Sequence, residues 1–125
     1  MRLSREELLG ESGLSSRQLD ELVDFGFLCP RDAAGRSHYD ESDLALARDA
    51  AALISRGVEV RHLQALKRTV EREIDLLNDI TTPIRQRASQ LGSSIVDEEL
   101  ISVSMELHAL RSSLLARAVS HYLGT

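Results

Sequence analysis

Residues 13–39 read GLSSRQLDELVDFGFLCPRDAAGRSHY, and this stretch decides the fold. After Ser15, a good helix N-cap, apolar side chains recur at the i, i+3, i+4 spacing of one helix face: Leu19, Leu22 and Val23. Gly26 stands where helices commonly end, because glycine accepts the left-handed conformation of that position. The pattern predicts a helix over residues 16–25.

A second short helix is predicted just before this one. Ser4 and Glu7 have the spacing of a capping box ahead of an apolar pair, so the helix should cover residues 5–11 and end at Gly13. Two short helices joined by a glycine-containing turn are typical of a helix-turn-helix motif.

The residues that follow predict a small hairpin and a third helix. Residues 27–29 and 37–39 are expected as short strands, and a hairpin this small must pack against helices as a wing. Asp40 and Asp43 then form a cap that starts a helix over residues 41–56. Its expected buried face is formed by Leu44, Ala47, Ala51 and Ile54.

Residues 61–91 carry a heptad pattern, which is typical of a packed helical hairpin or coiled coil. The apolar positions that repeat every seven residues are Leu63, Val70, Leu77, Ile84 and Leu91. Because proline cannot donate the helical hydrogen bond, we expect a kink or a restart at Thr82–Pro83, with Thr82 as the cap.

A last helix is predicted over residues 97–122, after a linker at residues 92–94. It carries two apolar stripes, so one neighbouring helix cannot cover it and a second copy of the chain is the expected partner. The candidate dimer-interface residues are Leu77, Ile84, Leu107, Leu110, Leu114, Leu115 and Val119. The alternative is that this helix folds back on its own helix-turn-helix.

Composition favours a mainly α fold. The predicted elements together form a winged helix-turn-helix with a two-stranded wing over residues 1–60 and a dimerising helical hairpin over residues 61–125, packed as one compact unit. Of the 125 residues, 42% are hydrophobic and only 3% aromatic, so aliphatic side chains must fill the core. The longest apolar run, residues 50–54, is too short to span a membrane. The N-terminus lacks an apolar signal core, and a cytoplasmic protein without a cofactor is expected.

The residue types that carry chemistry are sparse, and neither a metal site nor an enzyme is expected. The single cysteine, Cys29, excludes an internal disulfide and is interpreted as a small buried hydrophobe rather than a redox switch. His108 and His121 are too far apart on one helix to share a metal. Nothing in the sequence marks the orienting group or the oxyanion donor that a Cys29–His38 nucleophile would need.

The order of these elements resembles the MerR family of bacterial transcription regulators. The residues that carry the resemblance are GLSSR at 13–17, GFLCPR at 26–31, Gly35 and Tyr39 in the wing, Asp43–Leu44, and GVEVRHL at 57–63. The family's second helix typically carries an arginine and aromatics that face DNA. Here Asp20 stands at the place of that arginine, with Glu21 and Leu22 at the places of the aromatics.

Residues 16–25 therefore contain one cation, Arg17, against three carboxylates, and such a helix should repel phosphates. Arg17 and the wing residues Arg31 and Arg36 are the weak candidates for phosphate contacts. We expect the fold to be kept and its DNA-reading chemistry to be lost.

The whole chain is also similar to the C-terminal domain of FtsR-type regulators of actinobacteria. That resemblance implies a regulatory and dimerising module of a longer protein, whose separate N-terminal domain binds promoter DNA. It also implies a protein or peptide effector. The aromatic residues Phe25, Phe27 and Tyr39 cluster around the wing and are expected as the hydrophobic anchor between wing and helices, with the floor of a peptide groove as the alternative. Two alternatives stay open: a complete small MerR-type regulator that binds DNA itself, and a monomeric adaptor that binds only other proteins.

Overall fold

The computed structural model describes residues 2–88 and 92–124, and the mainly helical winged-helix fold is confirmed. In chain order the elements are β1 (Leu3–Ser4), α1 (Arg5–Ser12), α2 (Ser16–Asp24), β2 (Arg31–Ala33), β3 (Arg36–Tyr39), α3 (Glu41–Ser55), α4 (Val60–Ala88) and α5 (Ser93–Leu123). The chain divides into two compact units, Met1–Val70 and Glu71–Thr125, so the division falls inside α4.

The three short helices begin where the sequence predicts them. Ser4, Ser15 and Asp40 each accept a hydrogen bond from the backbone N–H three residues on, and each capping box is complete. Gly13 follows α1 with φ of 85°, a left-handed conformation that a side chain would strain. These caps satisfy N–H groups that have no partner within the helix, so the local sequence alone sets the helix starts.

The core of the first unit is aliphatic, as the composition predicts. Leu8, Leu19 and Leu22 are fully buried, and Tyr39 is 1% exposed. The other buried hydrophobic residues of this core are Leu3, Leu14, Leu28, Leu44, Ala47, Ala50 and Val60. Helices α1, α2 and α3 and the wing strand β3 therefore share one hydrophobic core.

The wing differs from its prediction in two ways. Its first strand is Arg31–Ala33 rather than residues 27–29, because the Phe27 N–H instead donates to the Leu22 carbonyl at 2.8 Å and ties that segment to the end of α2. The sheet also has an unpredicted third strand, β1, which pairs Leu3 with Tyr39 and gives the order β1-β3-β2.

Helix α4 passes through Pro83, so the expected restart at Thr82 is wrong. The Thr82 hydroxyl does not cap a new helix but donates to the Asn78 carbonyl at 2.7 Å, and the Thr81 hydroxyl donates to the Leu77 carbonyl at 2.7 Å. Proline removes only one N–H from a 29-residue helix, which the flanking turns tolerate. Leu91, the last heptad position, lies outside the described residues.

Helix α5 starts at Ser93, earlier than the predicted residue 97. The linker prediction for residues 92–94 holds only at Gly92, whose φ of 103° is incompatible with the helix. Across the described residues, no helix is long and apolar enough to cross a membrane.

Candidate functional site

The outer surface of α2 is the first candidate site, since α2 is the second helix of the helix-turn-helix, the helix that enters the major groove in DNA-binding examples of this motif. Burial of Leu19 and Leu22 fixes the rotation of the helix. That rotation leaves four charged side chains at the surface: Arg17, Asp20, Glu21 and Asp24.

Two basic side chains near this surface, Arg5 and Arg17, are already paired with carboxylates. Arg17 Nε lies 3.4 Å from Glu21 Oε1, and Arg5 Nη2 lies 2.9 Å from Asp20 Oδ1. Asp24 has no ion-pair partner among the described residues. Such exposed pairs add little stability, but they cancel the positive charge that would attract a phosphate.

The wing contributes little free positive charge. Arg31 Nη1 lies 3.1 Å from Asp40 Oδ2 and 3.3 Å from Asp43 Oδ2, so this candidate phosphate ligand is held at the start of α3. Arg36 is exposed and forms no ion pair within the described part of the chain. Of the three predicted phosphate candidates, only Arg36 therefore has an unpaired guanidinium.

The hydrogen bonds at the N-cap of α3 also lower the pKa of Asp40. The backbone N–H of Asp43 donates to Asp40 Oδ1 at 2.9 Å, and the Ser42 hydroxyl donates to the same oxygen at 2.8 Å. These hydrogen bonds, with a smaller contribution from Arg31, lower the pKa of Asp40 to about 2. The carboxylate that holds Arg31 thus stays ionised at neutral pH.

A groove of about 630 Å³ lies on the first unit between α2 and the segment that joins α3 to α4. Apolar side chains from both walls line it, namely Phe25, Ile54, Val58 and Val60, and charged side chains flank them, namely Arg17, Glu21, Glu59 and Arg61. We call it the α2 groove. Its volume is in the usual range for ligand sites.

The structure separates the three aromatic residues that cluster around the wing in the sequence. Phe25 lines the α2 groove, whereas Phe27 packs half-buried against the core and Tyr39 is buried within it. Burial raises the pKa of Tyr39. The second wall, residues 54–61, was not anticipated; the alternating GVEV at 57–60 after the end of a helix was its only signal.

The second unit is a helical hairpin with a large uncovered apolar surface. Arg111 Nε donates to Glu73 Oε1 at 2.6 Å, and a cleft of about 220 Å³ between α4 and α5 is lined by Leu77, Thr81, Arg85, Leu100, Ile101 and Ser104. The large apolar side chains of α5 that stay exposed are Ile101, Met105, Leu110, Leu114, Leu115, Val119, Tyr122 and Leu123.

The predicted dimer-interface residues fall into two groups. Leu77, Ile84 and Leu107 are half-buried on the hairpin. Leu110, Leu114, Leu115 and Val119 are 57%, 49%, 55% and 45% exposed, although they are large and apolar. Exposed apolar patches of this kind mark interaction surfaces, so the free part of the predicted interface lies on the C-terminal half of α5.

Metal ligands are not grouped in the part of the chain that the structure describes, and the single cysteine lies at the surface. No group of three His, Cys, Asp or Glu side chains there could hold a metal ion. The prediction that Cys29 is buried is wrong, because its side chain is exposed next to Pro30. The reason is that the segment leaves the core after Leu28, the last buried residue before the wing.

The fold and its surfaces define a winged helix-turn-helix module that carries a helical hairpin. The chain belongs to the family described as Rv1828-like, C-terminal domain, whose model matches residues 1–123. It is similar to the uncharacterized HTH-type transcriptional regulators Rv1828 of Mycobacterium tuberculosis and Mb1859 of Mycobacterium bovis. The identity to each is 29% over 119 residues, which covers 95% of this chain and 47% of each relative.

The chain thus spans about half the length of the curated relatives it matches. These similarities relate it to regulators of transcription.

Proposed function

We propose that this chain is the regulatory and dimerising C-terminal part of a MerR-type transcription regulator of the FtsR kind, in which a separate N-terminal domain binds promoter DNA. The observation that carries the proposal is the acidic outer surface of α2, where Arg17 and Arg5 are paired with carboxylates. The family is described as a C-terminal domain, and the chain covers about half of each relative. Both findings support a DNA-binding domain that is separate from this chain.

Dimerisation is the second part of the proposal. The apolar stripe formed by Ile101, Met105, Leu115, Val119 and Tyr122 contains side chains between 45% and 89% exposed. Covering a half-exposed aliphatic side chain is worth about 1 kcal/mol, so this stripe and its equivalent on a second copy would supply several kcal/mol. Light scattering at micromolar concentration tests this part: a dimer supports it, and a stable monomer refutes it and favours the adaptor alternative.

The third part concerns the signal that the module receives. A protein or peptide effector fits the α2 groove better than a metal ion does, since the groove has an apolar floor with aromatic Phe25 and mixed charges at its edge. Aromatic side chains in such grooves commonly anchor protein partners.

The experiment that tests the central part uses the longer protein that contains this chain. Arg31→Glu and Arg36→Glu together should leave the affinity for promoter DNA unchanged in an anisotropy titration. Deleting the half that precedes this chain should abolish binding. A loss of affinity of tenfold or more in the double variant, with the fold intact by circular dichroism, would instead assign DNA binding to this wing.

A further inference from the structure

The cleft between α4 and α5 in the second unit lies where small side chains stand at the helix contact. Along α4 its lining residues follow one another at four-residue spacing, namely Leu77, Thr81 and Arg85. Leu100 and Ser104 do the same along α5. A packed pair of helices normally fills such contact positions with large aliphatic side chains. Thr81 and Ser104 are too short to do so, and a space of about 220 Å³ remains between the helices.

The two hydroxyl groups of this cleft donate hydrogen bonds within their own helices. The Thr81 hydroxyl donates to the Leu77 carbonyl at 2.7 Å, and the Ser104 hydroxyl donates to the Ile101 carbonyl at 2.9 Å. Each hydroxyl has a single hydrogen, so neither offers a further donor to a ligand. The rest of the walls is formed by aliphatic side chains, those of Leu77, Leu100 and Ile101. The space between the helices therefore suits a hydrocarbon chain.

Arg85 is the charged residue of the cleft lining. Its side chain is exposed and forms no ion pair with any residue that the structure describes, although Asp97 stands one turn before Leu100 on α5. A free guanidinium pairs well with a carboxylate, which it can bind through two parallel hydrogen bonds. Aliphatic walls beside a free arginine therefore fit a ligand that combines a hydrocarbon chain with one carboxylate.

We propose that this cleft binds a short aliphatic carboxylate, with the hydrocarbon chain between α4 and α5 and the carboxylate on Arg85. A volume of 220 Å³ holds about seven water-sized groups, which suits an acid of about six carbons. The site is separate from the α2 groove, so it does not rest on the effector proposed there. Ile101 also belongs to the apolar stripe, whereas the other lining residues of the cleft lie outside that stripe.

A titration of the isotope-labelled chain with sodium hexanoate, followed by amide chemical shifts, tests this inference. The amides around Thr81 and Ser104 should shift saturably, with a dissociation constant of about 1 mM or below, as expected for a ligand of this size. Two further probes separate the parts of the ligand: acetate has the carboxylate without the chain, and hexanol has the chain without the charge. Each should bind at least about tenfold more weakly than hexanoate.

Three variants distinguish a binding site from a gap in the packing. Arg85→Gln removes the charge and should weaken hexanoate binding about tenfold, because a charge-assisted pair of hydrogen bonds is lost. Its matched control is Arg87→Gln, in the same last turn of α4 but outside the cleft lining, which should leave binding unchanged. Ser104→Leu fills the cleft, so it should abolish binding and raise the melting temperature.

Each outcome decides the inference. Saturable binding of hexanoate that Arg85→Gln weakens and Arg87→Gln does not supports it. The inference is overturned if wild-type protein shows no saturable shifts, if hexanol binds as tightly as hexanoate, or if both arginine variants have the same effect. It is also overturned if Ser104→Leu, folded by circular dichroism, keeps the wild-type dissociation constant. These results leave the α2 surface and the dimer untouched, so the proposed function stands or fails by its own experiments.

Discussion

Leu115 lies in the middle of the apolar stripe and is the most direct test of dimerisation through α5. Its side chain is 55% exposed, so glutamate at this position stays hydrated in the monomer and the fold should persist. In the dimer the same carboxylate would be buried without a partner. Leu115→Glu should therefore separate the copies without unfolding them.

The expected change in the dissociation constant follows from the exposed fraction of the Leu115 side chain. Losing the apolar burial of a half-exposed leucine costs about 1 kcal/mol per copy. Removing an unpaired carboxylate from water costs several kcal/mol more, even after relaxation. A total of at least about 3 kcal/mol corresponds to a dissociation constant raised more than about a hundredfold.

Sedimentation equilibrium over a range of concentrations measures that constant, and circular dichroism checks that the helix content is unchanged. The matched control is Ser113→Glu, an exposed position on the same helix away from the stripe, which should leave the dimer intact. A Leu115→Glu protein that dimerises like wild type would refute the assignment of this stripe to the interface.

Three further predictions concern the stability of the first unit. Leu22→Ala, at a side chain with 0% exposure, should lower the free energy of unfolding by about 2–5 kcal/mol in urea denaturation, whereas the same change at exposed Leu46 should cost far less. Ser15→Ala removes the cap of α2 and should cost about 1 kcal/mol, while Ser15→Asp should retain most of it. The lowered pKa of Asp40 means that its contribution to stability is complete above its ordinary pKa of 3.8 and is lost as the pH falls toward 2. Thermal melts between pH 2 and pH 5 should show a shallower acid limb for Asp40→Asn, and an unchanged limb would refute the shift.

The local parts of the fold could be predicted from the sequence because their causes are local. Each of the three capping boxes lies within four consecutive residues, and each starts a helix at the predicted position. The glycine at position 13 ends α1 for an equally local reason. Tertiary partners decide the elements that were missed: β1 exists because Leu3 pairs with Tyr39, far away in the sequence.

The candidate site was predictable in its charges but not in its shape. Counting carboxylates on residues 16–25 anticipated the acidic α2 surface, because exposed charges follow from the buried positions of the helix. Phe25, Phe27 and Tyr39 lie close together in the sequence, but only Phe25 lines the groove, whereas Phe27 packs against the core and Tyr39 is buried in it. In the structure Phe25 instead faces Ile54 and Val58 across the groove, a pairing that only the packing of α2 against the end of α3 creates.

We expect that the α2 surface of this chain does not bind DNA, and a titration with duplex DNA measures this. Fluorescence anisotropy of a labelled mixed-sequence duplex at about 50 mM salt, with this chain added up to about 100 μM, should show no saturable binding, since the cations near α2 are already paired. Submicromolar binding that weakens steeply with added salt would show that Lys and Arg side chains of this chain neutralise phosphates, and the proposed loss of DNA binding would then be wrong.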